Sequence, residues 1–373
     1  MSASTASPTR SRLWPRLRAA AIVNPPARGA RVAGCRARRA VLWGAAVILA
    51  ANAALSVAVE TVLPQVRDPE FGVRLVRLQA QQQAHPDRPL VVMVGTSRTQ
   101  NGIDPRAMFP DEPGSPLVFN FGQSSVTPVT LRLNLQRVRA RGVRPAAVLV
   151  EILPESLGAA GPIPTAHVRP ERLSAADVRW LRPHLADPDA VYRRWAAARL
   201  NPWPAHRQVV INHVAPRWHP WPYRIEHLWT KTDDRGFGPY QYETTSAESR
   251  ARRRDAVAAA FVPVLRDLRV SALTEESFRG IVADCREWGI PVAFYEMPES
   301  PVVRSWYAPE SRAAVAALKR MLRDELGCAV FDPPGEFAED EFADGHHLLR
   351  AGATRLSAAL AERHLKPWLE DGR

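Results

Sequence analysis

Three residues of this chain could together carry out nucleophilic chemistry: Ser97 in VVMVGTSRT, and Asp344 and His347 in FADGHHLL. A serine hydroxyl is a weak nucleophile until a neutral imidazole can take its proton. That imidazole in turn needs a carboxylate to fix its tautomer and stabilise the imidazolium. The expected chemistry is acyl transfer through an ester on Ser97. Taken singly, each piece is ordinary: a serine after a strand is usual turn chemistry, and two adjacent histidines without further ligands do not make a metal site. The combination says more. Ser97 ends the first strand of an alternating strand–helix pattern, and Asp-x-x-His follows the last. In an open parallel sheet the carboxyl ends of the strands line one crevice, so both motifs are expected to face the same place.

The elements that must position these residues are legible as apolar runs. LVVMVG (90–95) is continuously apolar with turn signals after it, the pattern of a strand buried on both faces. PLVFNFG (116–122), AAVLVEI (146–152), PVAFYEM (291–297) and CAVFD (328–332) follow as further strands. Helical segments are expected at 128–141, 274–288 and 309–325, with a last helix at 351–365. Five strands separated by helices predict an α/β fold, a parallel three-layer α/β/α sandwich.

On these residues the chain resembles the SGNH (GDSL-type) hydrolase superfamily, in its membrane-anchored bacterial branch. Gly95, Thr96 and Ser97 match the first family block, with Thr96 in place of the usual Asp. Asp344, His347, Leu348, Gly352 and Ala353 match the last. Gly122 in VFNFGQSS matches the glycine of the second block, whose N–H is implied to bind the oxyanion together with that of Ser97. The third block, Gly-x-Asn-Asp, is not visible; after the third strand the chain reads Glu151, Ile152, Leu153, Pro154, Glu155. The resemblance spans about 88–156 and 274–366. It implies a flavodoxin-like order for the five-stranded sheet, and Ser97 as nucleophile with Asp344 orienting the base. His346 is a rival base, but the family spacing favours His347.

What the resemblance implies for function is a serine esterase or O-acyltransferase acting on an acylated cell-envelope or extracellular glycan. Water or a sugar hydroxyl would resolve the acyl-enzyme. The alternative is a non-catalytic envelope-assembly or binding protein that keeps the fold, with envelope protein partners.

The net charge of +12 resembles a nucleic-acid signal until it is located. Residues 1–40 hold nine arginines and no acid, leaving +3 for the rest of the chain. That tail (1–39) precedes an uncharged run from Ala40 to Val59, and twenty residues of helix span roughly the 30 Å core of a bilayer. Arginines before the run and Glu60 after it orient a signal-anchor helix (40–63) with its N-terminus in the cytoplasm. Residues 64–373 are then expected outside the bacterial inner membrane, in the periplasm or beyond, on a single-pass anchor. Positive-inside topology accounts for the tail, so no nucleic-acid partner is expected. Cleavage near Ala51, Ala53 or Ala54 is the competing reading.

Between 157 and 272 the pattern changes to a Trp-, Pro- and Arg-rich stretch, expected to be a mostly helical insertion at the catalytic edge that could cover the crevice. Trp203, Trp218, Trp221 and Trp229 could stack on sugars. The preferred reading gives them to the insertion's own core or to a membrane interface. Asp233 and Asp234 fit no Ca²⁺ loop and suggest a turn. Arg98 could hold an anionic group or make a surface salt bridge. Cys35, Cys285 and Cys328 have no metal-like spacing and are expected as isolated thiols, a Cys285–Cys328 disulfide being allowed by export. No cofactor or metal motif is present.

Overall fold

The structure is a computed structural model that describes residues 28–158, 162–220, 232–240 and 245–371, with side chains from Cys35 onward. Trp221, Trp229 and most of the basic tail lie outside the described residues. The chain divides after Ala51 into two compact units, the second of which, Asn52–Arg373, holds the sheet and every residue discussed below as a site.

Five strands, β1 (Leu90–Gly95), β2 (Leu117–Gly122), β3 (Ala147–Ile152), β4 (Val292–Glu296) and β5 (Ala329–Phe331), form one sheet in the order β2-β1-β3-β4-β5. Every pairing is parallel. Each strand lies within two residues of its expected limits. The runs of β1, β2 and β3 are buried at every position because both faces are covered. Alternation does the sorting. Leu90, Val92 and Val94 of β1 join Phe119, Phe121, Val148 and Val150 in one cluster, packed against helices Pro69–Ala84, Pro128–Ala140 and Ala272–Glu287. Val91 and Met93 join Val118, Leu149, Ala293 and Tyr295 in a second cluster, closed by Leu356 and Leu360 of helix Arg350–Leu360. Each such buried side chain contributes about 1.5–3 kcal/mol.

Helix boundaries follow local chemistry. Pro128 opens its helix at a position that needs no N–H donor, and Thr127 caps it through Thr130. The expected helices at 309–325 and 351–365 both end in a wider π turn, Met321–Glu325 and Ala361–Leu365, rather than continuing as regular α-helix. The N-terminal helix starts earlier than the apolar run, at Arg28, and extends to Thr61. Its Cys35–Thr61 part is long and apolar enough to cross a membrane.

Among the described residues of the insertion, helices run over Ala175–Leu181, Pro188–Leu200, Pro202–Val214 and Ala247–Arg266. Its small core of Val168, Leu173, Val178, Leu181, Leu185 and Val191 packs on Val129 and Leu133 of the helix after β2. Trp180 and Trp195 flank that core. Trp203 and Trp218 do not: both are exposed, which removes the interior part of their expected placement and leaves the membrane-interface part untested. Cys285 and Cys328 are buried free thiols, so no disulfide joins them.

Candidate active site

Because β1 lies between β2 and β3, the chain leaves β1 toward one side of the sheet and later returns on the other, opening a crevice beyond the carboxyl ends. Ser97 sits there, at the first residue of a short helix, Ser97–Gly102, capped by the Thr96 hydroxyl accepting from Arg98 N–H. Two glycines make the turn possible. Gly95 and Gly122 are register partners at the strand ends. A Cβ on Gly95 would lie 1.9 Å from Thr99 Oγ1, and one on Gly122 would lie 2.4 Å from the Gln100 nitrogen. Only bare backbone lets the nucleophile helix cross the sheet this closely.

From the other end of the chain, the loop after β5 delivers Asp344 and His347. Asp344 Oδ1 accepts from the backbone N–H of His346 (2.9 Å) and of His347 (2.7 Å), a turn completed by Gly345 at φ +83°. Asp344 Oδ2 lies 2.8 Å from His347 Nδ1, and His347 Nε2 lies 2.9 Å from Ser97 Oγ. Burial would push the Asp344 carboxyl up, but the hydrogen bond and charge of His347, with the two backbone N–H groups, outweigh it and hold it at about 2. An ionised carboxylate only accepts, so Nδ1 carries the proton and Nε2 is left to accept from the serine hydroxyl. Ser97, His347 and Asp344, separated by up to 250 residues, thus form one hydrogen-bonded chain. The ring of Tyr240, from the insertion, stacks on His347 with centroids 5.7 Å apart. Asn101 Nδ2 donates to Gly238 O (2.6 Å), which fastens that segment over the nucleophile helix.

The other sequence candidates occupy different roles. The Gly122 N–H donates to Asn120 Oδ1 at 2.9 Å. It is therefore engaged in holding the β2 end and is not a free oxyanion donor in this arrangement. Ser97 N–H, first in its helix, has no intrahelical acceptor. His346 turns from Ser97 and places Nδ1 2.9 Å from Glu155 Oε1. Arg98 is neither a surface ion pair nor open to a ligand: it is fully buried, donates to the carbonyls of Met297 (2.8 Å) and Pro298 (2.9 Å), and lies between Glu155 and Glu299. Asp233 makes the expected turn, its Oδ1 accepting from the N–H groups of Arg235 and Phe237.

Two functions were invisible in the sequence. Glu151, standing where the family block is absent, accepts from Thr96 N–H (2.6 Å) and Thr99 Oγ1 (2.5 Å), and so ties β3 to the nucleophile turn. Tyr295 from β4 meets the same Thr99 hydroxyl at 2.6 Å. Burial pushes the Glu151 carboxyl up, against the pull of Arg98 and the threonine donors. The second is the group formed by Arg98, Glu155, Glu299 and His346 behind the triad. Burial would push Glu155 up, but His346 and Arg98 hold it at about 2, while burial pushes the His346 imidazole down. Glu299, which accepts from Tyr307 Oη at 2.7 Å, is pushed up to about 7 by burial, Arg98 opposing and Glu155 adding. Pairs of acids at strand ends in the sequence were the one available signal. A cavity of about 570 Å³ opens beyond Glu299, lined by Met297, Tyr307, Lys319 and Phe337, and none of the triad lines it.

Among the described residues no group of His, Cys, Asp and Glu is arranged to hold a metal ion. Compared with known proteins, the chain matches no family model, and no curated protein matches it significantly.

Proposed function

We propose that this chain is a membrane-anchored serine esterase or O-acyltransferase of SGNH (GDSL-type) architecture, with a flavodoxin-like three-layer domain held outside the bacterial inner membrane. Its substrate is an acylated cell-envelope or extracellular glycan. The observation that carries this reading is the continuous hydrogen-bonded chain from Ser97 Oγ through His347 to Asp344.

The reaction follows from that chain. Ser97 Oγ attacks the ester carbonyl as its proton passes to His347 Nε2, and the negative charge on the tetrahedral oxygen is met by Ser97 N–H at the positive end of its helix. Protonated His347, held by Asp344, gives its proton to the departing sugar oxygen, leaving the acyl group on Ser97. Water or an acceptor hydroxyl then loses its proton to His347 and attacks the acyl-enzyme, and His347 returns that proton to Ser97 Oγ as the bond from Oγ to the acyl carbon breaks, releasing free acid or a new ester. One missing oxyanion donor in comparable sites costs roughly 10²- to 10³-fold in rate, so with the Asn block absent and the Gly122 N–H engaged the expected turnover is slow.

The engaged Gly122 N–H favours a second reading, a non-catalytic envelope-assembly protein that retains the fold to bind a partner. Labelling of the full chain with a fluorophosphonate serine probe, beside Ser97→Ala and His347→Ala, separates the two. Modification of the parent alone supports the enzyme. A folded parent that stays unlabelled at all probe concentrations makes the assembly role the better reading.

A further inference from the structure

The insertion carries a surface that the chemistry above does not use. From Ala190 to Pro220 the sequence holds five arginines (193, 194, 199, 207 and 217) and no acidic residue. In the same stretch Leu200, Val214 and Trp218 are 83%, 77% and 81% exposed, and Trp203 is 46% exposed. Along helix Pro202–Val214, Trp203, Arg207, Val210 and Val214 recur at i, i+4, i+7 and i+11, a single stripe of a 3.6-residue helix. Asn212, on the opposite side, is buried, and so is His206, three residues after Trp203 at the edge of the stripe. Single exposed apolar residues need no explanation, but four large ones interleaved with arginines, and with exposed Asp189 one turn before Arg193 as the nearest acid along the chain, do.

Its attachment says what lies nearby. Arg199 Nε donates to Glu60 Oε2 at 3.0 Å, and Ala175 N–H donates to Glu60 Oε1 at 3.3 Å. Glu60 is in the last turn of the candidate span Cys35–Thr61. Leu200, the most exposed of the group, is therefore the chain neighbour of the residue that grips the end of the span. A lipid surface lies at that end if the helix crosses a bilayer.

We propose that this face of the insertion is a second membrane contact, with Leu200, Trp203, Val214 and Trp218 entering the headgroup region and arginines 193, 194, 207 and 217 meeting anionic phospholipid headgroups. Apolar and aromatic residues interleaved with arginine are the composition suited to that boundary, and each arginine near an anionic surface strengthens the attraction. The proposal rests on the reading of the N-terminal helix as a membrane span. It gives the insertion a task separate from catalysis: holding the domain at the bilayer surface.

The test uses the full chain with Cys35→Ser, a single added cysteine carrying an environment-sensitive fluorophore, and phosphatidylglycerol-containing nanodiscs with or without brominated lipid. Three sites are compared: Val214→Cys on the proposed face, Ile48→Cys in the span, and exposed Arg269→Cys. Support is a blue-shifted Val214 probe whose quenching lies between the other two and falls at least twofold in phosphatidylcholine or when arginines 193, 194, 207 and 217 are changed to Glu. A quenched Ile48 probe with Val214 matching Arg269 overturns this contact and leaves the anchor standing. An unquenched Ile48 probe overturns both. A concentration-dependent blue shift in detergent without lipid quenching identifies a second copy of the chain as the occupant and also overturns the proposal.

Discussion

Glu155 Oε1 lies 2.9 Å from His346 Nδ1, and the same buried carboxylate reaches Arg98 at 3.7 Å. Arg98 and His346 are the immediate chain neighbours of the nucleophile and the base, so one carboxylate from the end of β3 links both halves of the triad from behind. Removing one member of a buried ionic group leaves the others unpaired, at about 3–5 kcal/mol. Glu155→Ala is expected to lower stability by that amount, read from chemical denaturation followed by near-UV circular dichroism. Fluorophosphonate labelling of the fraction that remains folded is expected to slow as well. Unchanged stability would show that the group is not a structural link.

The triad makes a graded prediction. Ser97→Ala and His347→Ala remove the nucleophile and base and are expected to abolish labelling. Asp344→Asn should keep the geometry but favour the wrong tautomer of His347, cutting the labelling rate on the order of 10⁴-fold. His346→Ala, by contrast, should retain labelling, because His346 does not touch Ser97. Equal loss in the His346 and His347 variants would undo the assignment of the base.

Glu151 supports the nucleophile turn without touching Ser97. Glu151→Ala strips the acceptor from Thr96 N–H and the Thr99 hydroxyl, and each buried group left unpaired costs about 1–3 kcal/mol. Glu151→Gln keeps one acceptor oxygen and should recover part of the loss in both melting temperature and labelling rate. Gly95→Ala is expected to prevent folding, since its Cβ would meet Thr99 and Glu151 inside van der Waals contact. A folded, fully labelled Gly95→Ala variant would contradict the packing described for this turn.

The buried acids fix the sign of a pH dependence. Glu299 is pushed up to about 7, so between the ordinary Glu range and that value the folded chain binds a proton that the unfolded chain has lost. Its contribution is present at low pH and lost as pH rises through about 7. Asp344 works in the opposite direction: held at about 2, it contributes above the ordinary Asp range and that contribution is lost as pH falls toward 2. The Glu299 contribution to stability is therefore expected to decline between the ordinary Glu value and about 7, and Glu299→Gln, which mimics the protonated acid and keeps an acceptor for Tyr307, should remove that decline. Parallel curves for parent and variant in denaturant titrations would rule out Glu299 as the source.

The five strands were legible because burial on both faces leaves unbroken β-branched and aromatic runs, a local signal that needs no knowledge of partners. The candidate span was legible for the same reason, as was the chemical character of Ser97, Asp344 and His347. Other features depend on contacts between distant parts of the chain. Which of two adjacent histidines faces the serine was decided by the turn that Asp344 builds around Gly345. The Gly122 N–H was taken by Asn120, two residues earlier, once β2 met the nucleophile helix. Arg98, read from sequence as a surface or ligand-facing charge, became buried because residues 155, 297, 298 and 299 close over it. The sequence by itself determined the strand runs, the apolar segment and the chemical types available at the site. Only the tertiary structure decided which donors are free, which acids are paired and which aromatic rings face solvent, because each of those depends on partners brought together from distant positions by the packing of the sheet and the insertion.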